Sequence, residues 1–531
     1  MPGPIAPPAR RPPTIIQATA AVTAIALVVK GLGFVEKLML AYAFGTGIEV
    51  DAYLVAYGIP FSAFIVLREV VEPAFLPTFL RTRRASEREG WRLFGVVATL
   101  LLILLGGATA VGLFAAGPLI ALTAPGFAGE QRTLAVHLTR LVMPALLLLG
   151  LGTLTTAALH AQKRFTLPAA AEAAFRAGPL ALFLALGSVE GLALGMVLGA
   201  LARLALEMLG LGRQLRQARP SLDLGFAPVR TMGRLAAPLL VALSLSLFVG
   251  PVVDNAFASR VGVGGVSALA YARKIGETLT TILPYTLGLV LLPFSAEMAA
   301  GQDGEGLART LRATVRALAI LLLPVTVGLA VLREPFVRLL FERGAFTAAS
   351  TQLTAGPLLF YSLGLLPFAL EVIVVQFYFA RQDTLTPVLA DVVVFALNVA
   401  LIPPLMSLFG LGGIALATTV AKTLKVLALL LLFGRQVPAF RLASLGPFAG
   451  QMAVASLATA ATLLTLLPVG QGMADSRGPM GLVLLLAGGG AAGGGTFLLV
   501  ACLLRVEEIR GLWQRAWAWC RARLRRPTAN D

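Results

Sequence analysis

Apolar residues run along this chain in blocks long enough to cross a bilayer, and short polar segments separate them. A hydrocarbon core of about 30 Å takes about 20 apolar residues in a helix. Such blocks fall near residues 15–43, 52–80, 92–117, 133–158, 166–188, 190–212, 231–258, 267–297, 311–332, 351–380, 385–408, 411–434, 446–468 and 480–504. The pattern predicts about fourteen transmembrane helices. The runs are too long for barrel strands, and glycine and proline are tolerated in membrane helices, so the expected fold class is an all-α integral membrane protein.

Composition agrees. Of 531 residues, 58% are hydrophobic and only 13% charged, where soluble domains carry roughly 25%. A string of soluble domains is thereby excluded. The net charge of +17 would suggest nucleic acid for a soluble protein, but here the bilayer accounts for the bias and no nucleic-acid partner is expected. Two cysteines (Cys502, Cys520) and two histidines (His137, His160) exclude a disulfide framework and a His/Cys metal cluster. Residues 1–14 lack the compact apolar core of a signal peptide.

Short basic loops set the expected orientation. With Arg10 and Arg11 cytoplasmic, alternate loops carry Arg81, Arg83, Arg84 and Arg88, then Lys163 and Arg164, then Arg213, Arg216, Arg219 and Arg230. The series continues with Arg309 and Arg312, Arg381, and Arg435 with Arg441, whereas 45–51, 188–190 and 409–413 are nearly bare. Both termini are therefore expected in the cytoplasm. Residues 505–531 interleave Trp513, Trp517 and Trp519 with Arg510, Arg515, Arg521 and Arg523. That suits an amphipathic helix against membrane lipid headgroups, chiefly a topology anchor.

An internal repeat divides the chain. Asp51-Ala52 precedes Pro77 by 26 residues, as Ser267-Ala268 precedes Pro293. Thr166-Leu167-Pro168 resembles Leu385-Thr386-Pro387 at an offset of 219. Gly191-Leu192-Ala193-Leu194 with Arg203 matches Gly413-Ile414-Ala415-Leu416 with Lys425 at an offset of 222. The expected organisation is a cytoplasmic segment 1–14, an N-lobe 15–215, a C-lobe 231–435, an added helix pair 446–504 and the tail. An even number of spans per lobe makes the two six-helix lobes parallel, as in secondary transporters with a substrate site between the lobes.

Charges inside spans are expensive and point to function. Lys30 and Lys37 share a face of the first span, with Glu36 beside it; Arg68, Glu69 and Glu72 cluster on the second. Asp254 and Asn255 lie in the seventh, and Arg273, Lys274 and Glu277 open the eighth. These groups are expected to line a water-filled cavity whose excess of cations suits an anionic substrate. Local ion pairing or snorkelling is the alternative, and fits Arg68 and Arg273 better than Lys30 or Asp254. Arg140, Glu172, Arg176, Arg203 and Glu207 occupy spans four to six, where Arg203 and Glu207 are expected to pair at i,i+4. Lys422 and Lys425 are expected to snorkel, and His137 and His160 show no partner pattern. No Gly-x-x-x-x-Gly-Lys-Ser/Thr loop, paired intramembrane aspartates or zinc motif occurs, so no enzymatic activity is expected.

Several stretches resemble the MurJ/MviN family of lipid II flippases. They run from Gly33-Phe34 through Ala41-Tyr42-Ala43-Phe44-Gly45 to Asp51-Ala52 and Ala74-Phe75-Leu76-Pro77. Others are Asp254 to Ser259, Val266 to Ala272, Arg338 to Thr347, Phe377-Tyr378 to Pro387, and Ala396 to Leu401. The resemblance spans about residues 20–435. It implies translocation of an undecaprenyl-diphosphate-linked disaccharide-pentapeptide to the outer leaflet of a bacterial inner membrane, by a monomer acting through alternating access. It also implies a groove for the polyprenyl tail in the added helix pair. Lys30, Lys37, Arg68 and Lys274 would then meet the diphosphate, with Glu36, Asp51, Glu69 and Glu277 as acidic gating partners. The resemblance places Phe64 where the family has a helix-two arginine, with Arg68 one turn on as a substitute, and Glu36-Lys37 where it has Arg-Asp. Its sodium site is matched by Asp254, Asn398 and Thr419, with Ile402 at a position that elsewhere supplies oxygen. Coupling to Na+, to H+ or to the membrane potential stays open, and no cofactor is expected. The rival readings are a paralogue for another polyprenyl-linked glycan, a cation-coupled drug antiporter and a non-transporting scaffold.

Overall fold

The computed structural model describes residues 15–244 and 250–509, with side chains at 15–23, 238, 241–242, 281–290, 292–293 and 473–475 outside the description. The N-terminal segment 1–14 and the Trp/Arg stretch beyond 509 lie outside the described residues. The described residues are helical, joined by short turns. In order they form α1 (Ile15–Phe44), α2 (Ile48–Ala85), α3 (Glu87–Phe114), α4 (Ala116–Thr123), α5 (Gly129–Val142), α6 (Pro144–Ala161), α7 (Thr166–Leu186), α8 (Val189–Leu211) and α9 (Ala227–Leu243). Then come α10 (Gly250–Ala258), α11 (Gly265–Ala300), α12 (Gly304–Val331), α13 (Arg333–Phe341), α14 (Ala348–Leu363), α15 (Leu365–Ala380), α16 (Leu385–Phe409), α17 (Leu411–Gln436) and α18 (Gly446–Leu503).

Among the described residues, ten helices are long and apolar enough to cross a bilayer, and α14 with α15, bent by 44°, makes an eleventh. Three of the fourteen expected spans fall outside this set. Each of these three, along α1, across α9 and α10, and along α11, includes residues outside the description. The expected span 133–158 lies within one apolar stretch, Gly129–Ala161, in which α5 passes into α6 through Met143 in helical backbone just before Pro144, which has no N–H to continue the ladder. The last two spans form one long element broken at Gly478, whose φ of 58° is readily adopted by glycine, followed by Pro479.

Local chemistry fixes several helix starts. Ser86, Ser188, Asp303 and Thr347 each accept a hydrogen bond from the backbone N–H three residues on, capping α3, α8, α12 and α14. Glu87 and Glu89 add negative charge to the first turn of α3. Helices α7 and α8 touch backbone to backbone. A Cβ at Gly178 would stand 2.4 Å from the Gly195 carbonyl oxygen, and one at Gly199 would stand 2.6 Å from that of Phe175. Small residues are what permit such contact in a membrane bundle.

The chain divides into two compact units. Within the described residues, one holds the chain to Leu40 and Ile48–Ala256, the other Ala41–Gly47 and everything from Phe257. The first is cored by Phe75, Phe79, Trp91, Phe94, Leu154 and Leu159. The second is cored by Leu311, Leu322, Ile373, Phe377, Leu429 and Phe433. Elements α3–α8 and α12–α17 follow one order: a long helix, a short one, a broken pair and two long helices. Lys163 and Gln382, which stand at the repeat offset of 219, both take a φ of 61°, just after α6 and α15.

The short segment Ala41–Gly47 is tied into the second unit. Ala345 N–H donates to the Tyr42 carbonyl at 2.8 Å, the Tyr271 hydroxyl donates to the Gly45 carbonyl at 3.0 Å, and the Thr46 and Ser350 hydroxyls lie 2.8 Å apart.

Candidate functional site

In the first unit the charged residues of α1 and α2 sit on an aromatic ladder. Tyr53, Tyr57 and Phe61 recur every four residues on α2, so their rings stack along one face, with centroids 5.7 Å and 4.9 Å apart. Lys37 bonds Glu36 at 3.4 Å and stands 5.9 Å from the Tyr57 ring centre, while Glu36 itself is buried. Arg176, from α7, donates to the Tyr57 hydroxyl at 3.1 Å and lies over Phe61 at 4.9 Å. Its Nε is 3.6 Å from Glu172. Glu172 in turn bonds Arg203, from α8, which reaches Glu207 at 3.3 Å and covers the Phe64 ring at 5.1 Å. Glu207 accepts from the Thr155 and Thr156 hydroxyls. The expected Arg203–Glu207 pair is present, and Glu172 extends it. Phe64 is fully buried, and the cation over it comes from α8 rather than from Arg68.

Arg68 pairs with its neighbour Glu69 at 3.0 Å, each side chain 46% exposed. It does not bond Glu72, although that residue stands one turn on in the same cluster. Glu72 instead lies 2.6 Å from His160 Nδ1 on α6, so His160 does have a partner. Tertiary contact wins because α6 packs along α2 and presents the imidazole to the carboxylate. Lys30 is exposed on α1. Asp51, in the first turn of α2, is fully buried and accepts from Gln131 at 3.2 Å.

In the second unit Lys274 is half-buried and Glu277 exposed on α11, while Arg273 donates to the Tyr361 hydroxyl at 3.2 Å. The expected snorkelling of Lys422 and Lys425 gives way to an ion cluster. Both bond Glu371 on α15, and Lys425 also bonds Asp391 on α16. The Lys425 side chain is only 2% exposed; two carboxylates on neighbouring helices, within hydrogen-bond reach, hold it better than a distant interface can. Asp254 on α10 is buried, Asn398 on α16 is half-buried, and the Thr419 hydroxyl is committed to the Phe360 carbonyl at 2.9 Å. Ile402 is fully buried and offers no oxygen. Among the described residues no group of three or more His, Cys, Asp or Glu side chains could hold a metal ion.

Sequence reading missed Tyr57, Glu371 and Asp391 and left Arg176 without a role. A signal was available for one: Asp391 stands at an offset of 219 from Glu172, as the flanking Leu-Thr-Pro does from Thr-Leu-Pro.

Long apolar helices with buried ion pairs define a multi-pass α-helical membrane protein. The family model described as "Lipid II flippase MurJ" matches residues 40–472, most of the chain, and the chain belongs to that family. It is 30% identical over 418 residues to a "Probable lipid II flippase MurJ" of Rhizobium meliloti, covering 75% of this chain and 76% of that one. It is 27% identical over 425 residues to a protein of the same description from Vibrio cholerae, covering 76% and 80%. Among solved structures, a lipid II flippase MurJ in an inward closed conformation shares the fold, with a TM-score of 0.75, 20% identity and coverage of 93% and 99%. An inward-facing multidrug resistance MATE transporter is a more distant fold relative, with a TM-score of 0.67, 15% identity and coverage of 80% and 98%.

Proposed function

We propose that this chain carries lipid II, the undecaprenyl-diphosphate-linked peptidoglycan precursor, from the inner to the outer leaflet of a bacterial inner membrane. The observation that carries this reading is the family match across residues 40–472. The step is transport, with no covalent bond made or broken. The cations that meet the diphosphate in this reading are Lys30, Lys37, Arg68 and Lys274. Glu36, Asp51, Glu69 and Glu277 balance those cations when no substrate is bound. The 3.4 Å Lys37–Glu36 contact supports such a role, since an arriving phosphate oxygen can replace one carboxylate contact with a charge-assisted hydrogen bond. The two halves of α18 take the polyprenyl tail. The protein acts as a monomer with both termini in the cytoplasm.

In this reading the drive is the membrane potential, or coupling to Na+ or H+. Moving one negative charge outward down a 100 mV inside-negative potential releases about 2.3 kcal/mol. A second reading, another polyprenyl-diphosphate glycan, is favoured by Phe64 and by Glu36-Lys37, where the resemblance expects other charges. Complementation of a conditional lipid II flippase depletion decides between them. Rescue by the intact chain, lost in Lys37→Ala and Lys274→Ala, is the expected result. Failure of a correctly inserted chain to rescue growth moves the assignment to the second reading.

A further inference from the structure

Arg176 is unlike the other cations of the first unit's interior. Arg203, with a side chain only 4% exposed, is held between Glu172 and Glu207. That arrangement has a counterpart in the second unit, where Lys425 bonds Asp391. Arg176 has no such counterpart: Phe395 stands at its repeat offset. The repeated packing of α7 against α8, and of α16 against α17, therefore does not need a cation at this place.

The Arg176 side chain is 22% exposed. Its single hydrogen bond among the described residues goes to the Tyr57 hydroxyl. Its guanidinium carbon lies 4.9 Å from the Phe61 ring centre and 5.5 Å from that of Phe175. Two aromatic faces and one hydroxyl fix the plane of the guanidinium. Glu172 neutralises it only loosely at 3.6 Å, because Glu172 also bonds Arg203. On the same tyrosine, Lys37 stands 5.9 Å from the ring centre. Tyr57 is thus shared by a planar fork and a compact point charge, both from the first unit.

We propose that Arg176, oriented by Tyr57 and flanked by Lys37, binds the lipid-linked diphosphate and selects it over a monophosphate. The proposal rests on the lipid II reading and names a residue of its site. A guanidinium fork engages two oxygens at once, and a diphosphate offers oxygens on two phosphorus centres. Lys37 supplies the remaining charge. A monophosphate can satisfy one cation well and leaves the other partly unmatched.

The test is native mass spectrometry of the purified full-length protein with undecaprenyl diphosphate, undecaprenyl phosphate and lipid II. The wild-type chain is expected to bind the two diphosphate lipids more tightly than the monophosphate. Arg176→Gln is expected to weaken diphosphate binding by about tenfold, the scale of one charge-assisted hydrogen bond, with a much smaller effect on monophosphate. Arg176→Lys, which keeps the charge and removes the fork, should lose selectivity while retaining the melting temperature. Tyr57→Phe should give part of the same loss. Unchanged diphosphate affinity in Arg176→Gln overturns the proposal and leaves the lipid II reading intact. So does an equal loss for both lipids together with a lowered melting temperature, which marks a structural residue. A wild-type chain that binds none of the diphosphate lipids overturns the lipid II reading and this proposal with it.

Discussion

Asp391 on α16 accepts a hydrogen bond from Lys425 on α17, and the same relationship recurs in the first unit between Glu172 and Arg203. The acids stand at an offset of 219 and the bases at 222. The second carboxylate has moved: the first unit uses Glu207, one turn beyond Arg203, whereas the second uses Glu371 on α15. Gly152 is the first-unit counterpart of Glu371 at the offset of 219, and a Cβ on Gly152 would stand 3.6 Å from Arg203 Nε. Each unit thus surrounds one buried base with two acids, reached from different helices. A buried base left with one acid would carry an unbalanced hydrogen-bonding demand, so the pattern is a constraint on packing.

Breaking one partner of this buried set should cost far more than breaking an exposed pair. Glu207 is fully buried, so Arg203→Met strands its charge and is expected to destabilise the protein by about 3–5 kcal/mol. Removing both charges together, as Arg203→Met with Glu207→Gln, should cost less than the sum of the single changes. Arg68→Ala breaks an exposed pair and should change stability by about 0–1 kcal/mol. Thermal unfolding of the four variants in detergent measures all of this. A larger loss for Arg68→Ala than for Arg203→Met would reverse the assignment.

Phe64 gives a second prediction. The resemblance expects an arginine there, yet the ring is fully buried with the Arg203 guanidinium 5.1 Å from its centre. Phe64→Arg would set two guanidinium groups against each other in a site whose acids are already engaged. The expected cost is about 3 kcal/mol or more, with reduced complementation rather than improved rescue. Improved rescue at unchanged stability would show that Arg203 does not occupy this space in the working protein.

The turn at Ala41–Gly47 yields a third. Gly45 and Gly344 take φ of 61° and 62°, and an added Cβ would stand 2.3 Å from the Ala345 and Tyr42 carbonyl oxygens respectively. Left-handed backbone alone costs a non-glycine residue about 1–2 kcal/mol, and here a backbone clash is added. Gly45→Ala and Gly344→Ala should each lower the melting temperature and abolish rescue. Gly31→Ala, which meets no atom within 4 Å and gains helix propensity, should not lower the melting temperature and serves as the control.

Hydropathy made the helices legible because every backbone group in a bilayer must be satisfied within its own segment. It could not show the bend at Gly364, since apolar residues run on through both α14 and α15. Pairing was harder still. Lys422 and Lys425 read as snorkelling residues because their acids, Glu371 and Asp391, lie on other helices within apolar runs. Which faces meet depends on helix rotation, and spacing along one helix carries no record of it. The cation over Phe64 was sought one turn away at Arg68 for the same reason, and it came from α8. The internal offset was the one long-range signal in the sequence, and it reached Asp391 through Glu172.

Asp383 gives a pH-dependent prediction outside the spans. It lies in the turn between α15 and α16, and burial alone would raise its pKa. Hydrogen bonds oppose that: it accepts from the Thr386 N–H at 3.0 Å, the Thr386 hydroxyl at 2.7 Å and the Gln436 amide at 3.2 Å, and these hold the carboxyl below its ordinary value. With the folded pKa depressed, the unfolded chain binds the proton more tightly, so folding is favoured as pH rises. The contribution is fully present above the unfolded value of about 3.9 and disappears as pH falls through the folded one. Asp383→Ala should therefore cost about 0.5–2 kcal/mol at pH 7, as for a lost helix cap. The gap between wild type and variant should narrow progressively below about pH 4. Melting temperatures of both proteins from pH 7 down to about pH 3 test this, and a gap that widens on acidification would contradict it.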